Sequence, residues 1–163
     1  MKAIVNASPL IFLAKLGKLH LLFDLFEEVF TTSSVLEEVF EGLTTGYPDA
    51  LVVKKSADDG TLKTLTVSKH LDFENLGEGA LSVIEAALEH KIGLVVLDDF
   101  AAIKTAKYFS LEVISTPFLL LKLLEKKKIT KKEFVSSFNA LMDFDYRISP
   151  VLYKRILDVA EKL

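Results

Sequence analysis

The stretch Leu94-Val95-Val96-Leu97-Asp98-Asp99 constrains the fold of this chain more than any other. A short aliphatic run rich in valine reads as a strand buried on both faces. Such strands belong to parallel sheets covered by helices. The run then ends abruptly in two carboxylates. In open α/β sheets, ligands bind just outside the carboxyl ends of the strands. An acid pair placed there is a candidate metal site, if other oxygen ligands in the chain converge on it.

The rest of the sequence alternates as such a sheet requires. Lys2 to Asn6 reads as the first strand. Ser8-Pro9 reads as a helix start, with Ser8 as N-cap and Pro9 at the first helical position. Gly17 is its stop. His20 to Phe26 reads as a short helix and Val29 to Thr32 as a strand. Ser33 or Ser34 caps the next helix, which carries Glu37, Glu38 and Glu41. Asp49 to Ala57 is a further helix, and Leu62 to Val67 a strand. Asp72 to Gly77 is a connection. Gly77-Glu78-Gly79 opens a long helix through His90, with Ala80, Ile84, Ala87 and Leu88 facing inward. After the strand from Leu94, Asp99 to Phe109 is helical, and Leu111 to Ile114 is the last strand. Pro117 starts a very apolar helix, Phe118 to Leu124. Lys131 to Met142 and Pro150 to Leu163 are amphipathic, with Thr130 and Ser149 as N-caps. Strand and helix alternate, and then only helices follow. That order predicts an α/β fold with a central parallel sheet. No repeat or linker interrupts it, so residues 1–163 read as one domain, with 130–163 as a C-terminal helical extension.

Bulk properties narrow the class. The chain has 163 residues, enough for one domain with a real core. The longest apolar stretch near a terminus, Ala7 to Leu16, is broken by Ser8, Pro9 and Lys15 and is too short to span a bilayer. Met1-Lys2 leads straight into a strand, with no secretory cleavage pattern. A cytoplasmic protein with no membrane role is expected. The absence of cysteine excludes disulfides and thiolate metal sites. The net charge of −3 argues against a protein that coats nucleic acid. It does not argue against a nuclease, because acids clustered at a metal site push the count negative. Lys122, Lys126, Lys127, Lys128, Lys131 and Lys132 form a dense positive segment, read as a solvated helix end and turn.

Several positions share one property: Asn6, Glu38, Glu78, Asp98 and Asp99 each lie at a strand end or early in the helix that follows. In a parallel sheet all of them reach the carboxyl edge. Oxygen ligands of this kind suit Mg²⁺ or Mn²⁺. Each also has an ordinary reading. Glu78 suits a helix N-terminus for the macrodipole alone. Asp98 or Asp99 suits an N-cap. Glu37, Glu38 and Glu41 suit a solvated helix face.

Taken in order, the motifs resemble a known family. Val5-Asn6-Ala7-Ser8-Pro9-Leu10-Ile11 resembles the opening of PIN-domain proteins, where the strand ends in Asp-x-Ser-x-Leu-Ile. Ser34-Val35-Leu36-Glu37-Glu38-Val39 resembles their Val-x-x-Glu helix. Leu76-Gly77-Glu78-Gly79-Ala80 and Val95-Val96-Leu97-Asp98-Asp99 resemble the third and fourth acidic blocks, in the form found in a branch related to VapC-type toxins. The resemblance implies a three-layer α/β/α sandwich with extra C-terminal helices. It implies cleavage of RNA dependent on Mg²⁺ or Mn²⁺. Glu38, Glu78 and Asp98 would be acidic ligands and catalytic groups, and Asp99 a ligand or supporting acid beside them. It also implies a homodimer and a small antitoxin as partners.

The sequence departs from the family at Asn6, where an Asp is usual and a central ligand. An amide keeps an oxygen acceptor but loses the charge, which lowers affinity for hard cations. Phe100-Ala101-Ala102-Ile103-Lys104 stands where the branch often carries arginine, and Ser115-Thr116-Pro117 replaces its Gly-Thr. Two functions follow: a metal-dependent ribonuclease weakened by Asn6, or a catalytically impaired PIN-like binding or regulatory module. A response-regulator-like or nucleotide-binding module fits less well. The first strand lacks the acid pair, and Gly77-Glu78-Gly79 is not a phosphate loop. His20, His70 and His90 are not spaced for zinc.

Overall fold

Among the described residues, five strands form one all-parallel sheet in the order β3-β2-β1-β4-β5. The computed structural model describes residues 1–73 and 75–163. The strands are β1 (Lys2–Val5), β2 (Glu28–Thr32), β3 (Leu62–Leu65), β4 (Leu94–Val96) and β5 (Glu112–Ile114). Between them run α1 (Ala7–Lys15), α2 (Leu19–Leu25), α3 (Ser33–Thr44), α4 (Asp49–Asp58), α5 (Glu78–Glu89) and α6 (Phe100–Tyr108). The connection expected from Asp72 to Gly77 includes Glu74, which lies outside the described residues.

Burial explains why the central strands read as unbroken aliphatic runs. Ala3, Ile4 and Val5 of β1 are fully buried, as are Val95 and Val96 of β4. Both faces of these strands are therefore covered, as in a three-layer α/β/α sandwich. Helices cover these strands: α2 and α3 pack on β2, α5 packs on β1, β2 and β4 and also against α3, and α6 packs on β5. The register pairs Val5 with Val96 and Ile4 with Val95. The direction of strand addition reverses between β1 and β4. That reversal is the topological switch point, where α/β sheets open a ligand crevice.

Two helix caps differ from expectation. The first helix begins at Ala7, with Asn6 as N-cap, rather than at Pro9 behind Ser8. Pro9 then falls at the third helical position, where its missing N–H costs nothing because the first N–H groups of a helix are unpaired anyway. For α3 the cap is Thr32, the last residue of β2, rather than Ser33 or Ser34. Its side chain accepts from the Val35 amide at 3.3 Å.

The chain divides into two compact units, Met1–Ile114 and Ser115–Leu163. The second is helical: α7 (Thr116–Glu125), α8 (Lys131–Asp143) and α9 (Pro150–Glu161). All five leucines of α7, Leu119, Leu120, Leu121, Leu123 and Leu124, are buried, in keeping with a core helix. Phe134 and Phe138 of α8 are fully buried, and Phe138 stacks on Tyr153 of α9 with ring centroids 4.9 Å apart. Thr130 and Ser149 cap α8 and α9 as the sequence predicts, Thr130 in a reciprocal capping box with Glu133. Among the described residues, no helix is long and apolar enough to cross a membrane.

Candidate functional site

Asn6 ends β1 at the switch point. Its amide N–H donates to the Val96 carbonyl of β4 at 3.1 Å, which continues the ladder one step past the strand. The residue is 7% exposed, and its Oδ1 is buried without a hydrogen-bond partner. A buried amide oxygen left unpaired costs about 1–3 kcal/mol, so an atom of this kind calls for a function.

Glu38 approaches the same point from α3. It lies between one and two helical turns past the Thr32 cap, and its carboxylate reaches over to the start of α5. The meeting place is Gly79. A Cβ built on Gly79 would lie 2.5 Å from Glu38 Oε2, 3.4 Å from Asn6 Oδ1 and 3.6 Å from Val35 Cγ2. Gly79 is thus the gap that lets a carboxylate and an orphaned amide oxygen face one another. Although Glu38 as a residue is exposed, burial at its carboxyl end raises its pKa, and the nearby charge of Glu41 raises it further.

A hydrogen-bond chain fixes α5 against α3. Thr32 Oγ1 and Ser82 Oγ lie 2.6 Å apart, and Ser82 also donates to the Gly79 carbonyl at 2.8 Å. Thr32 and Ser82 are both buried. The cap of one helix therefore holds the first turn of the other, and so sets the spacing between Glu38 and Gly79.

Glu78 opens α5, and Asp98 and Asp99 follow β4. Glu78, the first residue of α5, is exposed and lines a cavity of about 490 Å³ with Thr32, Ser34, Thr66, His70 and Glu85. Neither Asn6 nor Glu38 lines that cavity. Asp98 is half-buried, two residues past the end of β4. Asp99 is the N-cap of α6, accepting from the Ala102 amide at 2.8 Å. One of its oxygens is thereby committed to the helix. Among the described residues, no three His, Cys, Asp or Glu side chains are grouped closely enough to hold a metal ion. Asn6 and Glu38 both border the gap at Gly79.

The far wall of the cavity is fastened to α5 by two glutamates one turn apart. Glu85, buried, accepts from the Leu71 amide at 2.7 Å. Glu89 accepts from the amide and hydroxyl of Ser68 at 2.9 and 2.6 Å. These bonds from Ser68 lower the Glu89 pKa.

Sequence reasoning did not single out Gly79, Thr32 or Ser82. The second glycine of Gly77-Glu78-Gly79 was the available signal. A glycine inside a helix costs stability relative to alanine and often marks a close approach.

A profile of the PIN domain family matches residues 2–162. No curated protein matches the sequence. Among solved structures, the chain is similar to a domain of a functionally unknown protein from Methanocaldococcus jannaschii DSM 2661. The identity is 13% and the TM-score 0.46, over 70% of this chain and 89% of that one.

Proposed function

The chain belongs to the PIN-domain family, a nuclease-like fold, and from that premise we propose that it is a metal-dependent ribonuclease. The observation that carries this reading is the orphaned Asn6 Oδ1 facing Glu38 Oε2 across Gly79. Two oxygens so placed fit Mg²⁺ or Mn²⁺, which take oxygen ligands and, for Mg²⁺, keep several waters. Asn6 and Glu38 would hold the cation, with Asp98 as the acid at the neighbouring strand end and Glu78 and Asp99 as outlying acids. When bound, the cation supplies charge neutralisation at the phosphodiester and an activated water. Glu38 must be ionised to serve as a ligand, so its raised pKa sets a lower pH limit on the site. A cytoplasmic setting, a homodimer and a small antitoxin partner belong to the same reading.

A second reading, a binding or regulatory module without catalysis, is favoured by the missing charge at Asn6 and by the lack of a three-acid cluster among the described residues. One assay separates the two. Labelled single-stranded RNA is incubated with the protein and millimolar Mn²⁺ or Mg²⁺, and in parallel with EDTA. Cleavage with the metal and none with EDTA supports the nuclease. No cleavage, together with no effect of either metal on thermal unfolding, overturns it in favour of the binding module.

A further inference from the structure

The helix that starts at Asp99 exposes two aromatic rings. Phe100 is 81% and Tyr108 77% exposed, the highest values among the large hydrophobic residues. Single exposed apolar side chains are ordinary. These two share one helical stripe with two cations. Counting 100° per residue from Phe100, Lys107 lies about 20° to one side, Lys104 about 40° and Tyr108 about 80° to the other. Lys104 and Lys107 are both exposed. The helix Phe100–Tyr108 carries no acid. In a chain of net charge −3 it is therefore a local positive strip with a ring at each end.

The outer ring is braced. Tyr108 meets Phe109 edge-on, with centroids 5.2 Å apart and planes at 83°. Phe109 in turn meets Phe73 edge-on at 5.5 Å. Edge-on support restrains the Tyr108 ring while leaving most of it open. Phe100 sits in the first turn, directly behind the Asp99 cap, so the strip begins at the acidic strand end.

Rings with open faces and lysines between them are what a single-stranded nucleic acid requires. Bases stack on aromatic faces whatever their identity, and the lysines follow the phosphates. From Phe100 to Tyr108 is about 12 Å along the helix, the length of three to four stacked nucleotides at ~3.4 Å each. We propose that the exposed face of α6 is a binding track for single-stranded RNA, with Phe100 and Tyr108 stacking bases and Lys104 and Lys107 pairing with phosphates. This rests on the ribonuclease reading for its direction: the track leads substrate toward Asp98 and the Asn6–Glu38 pair. A second protein chain is the competing occupant of such a face. The lysines between the rings favour a polyanion.

The test is fluorescence anisotropy of a labelled oligouridylate with the full chain in EDTA, so that binding is read without cleavage. Phe100→Ala and Tyr108→Ala should each weaken binding by about fivefold or more, within the range for losing one stacking platform. Phe100→Tyr should restore it, which a purely structural role for the position would not predict. Lys104→Gln with Lys107→Gln should flatten the dependence of log affinity on log salt by about 0.7 per lost phosphate contact. A duplex of equal length should bind more weakly than the single strand. The proposal is overturned if both alanine variants bind like the parent. It is also overturned if light scattering shows a dimer that Phe100→Ala converts to monomer. If binding follows these rules but no metal yields cleavage, the track stands and the nuclease fails. If cleavage occurs with an unchanged KM in Phe100→Ala, the nuclease stands and the track fails.

Discussion

Replacing Gly79 by alanine separates folding from function in this chain. The new methyl would lie 2.5 Å from Glu38 Oε2 and 3.4 Å from Asn6 Oδ1. The first contact is too close to persist. The atom that must move is the end of a long side chain on an exposed residue, so the carboxylate swings aside while the backbone stays. A partial rotation off the preferred torsion costs about 0.5–1.5 kcal/mol, and a full rotamer change costs less. Against this, alanine in a helix gains roughly 0.5–1 kcal/mol over glycine. The net change in stability is within about 1 kcal/mol of zero, which moves Tm by no more than about 4 °C. The effect on the site is not balanced. The methyl occupies the space between the two oxygens and removes one of them. Mn²⁺ affinity should fall about 10–100-fold, as it does when the support of a metal ligand is lost. Thermal unfolding with and without Mn²⁺ reads both quantities. A variant that unfolds many degrees lower refutes the claim that Glu38 yields. A variant with parental stability and parental Mn²⁺ affinity refutes the claim that the gap at Gly79 is the metal cradle.

Other perturbations follow from the same geometry. Because the Glu38 pKa is raised by burial, the folded state binds that proton more readily than the unfolded one. Its ionisation therefore disfavours folding in full above that raised pKa, and the disadvantage shrinks as pH falls through it and is gone below the ordinary glutamate value. Glu38→Gln should leave stability at pH 7 equal or higher while abolishing the Mn²⁺ effect. In the parent, Mn²⁺ affinity read by calorimetry should fall as pH is lowered through the raised Glu38 pKa. Thr32→Ala removes the cap of α3 and the bond to Ser82; it should cost about 1–2 kcal/mol in urea unfolding and also weaken Mn²⁺ binding. In the helical unit, Thr130→Ala breaks the capping box of α8 and should cost about 1 kcal/mol with no effect on metal. Glu28, held to about 2 by hydrogen bonds from Lys2 and Lys63, should titrate higher in Lys2→Met when followed by carbon NMR of its carboxyl.

The sheet was legible because its signals are local and strong. Leu94–Val96 and Ala3–Val5 are uninterrupted aliphatic runs, and burial on both faces leaves no other place for them. Helix starts were less legible, because capping depends on backbone angles as well as residue type. Ser8 and Ser33 are good caps by composition. The chain instead turns into helix directly from Asn6 and Thr32, both in extended backbone at the strand ends. The acids illustrate a different limit. Spacing along the sequence puts Asn6, Glu38, Glu78, Asp98 and Asp99 at one edge of the sheet. Which of them meet depends on azimuth around each helix and on side-chain length. Position 78 faces a cavity beside β3, while its neighbour Gly79 faces Asn6 and Glu38. One residue of helical phase separates the two outcomes.

The most direct test of the account is calorimetric titration of Mn²⁺ into the parent chain and into Asn6→Asp. The orphaned oxygen at position 6 stays in place in the variant and gains a charge. Mn²⁺ affinity should rise by at least about tenfold, since affinity for hard cations follows the charge count of the ligands. Equal affinity in the two proteins, or no measurable binding in either, would contradict the claim that Asn6 and Glu38 form a cation site.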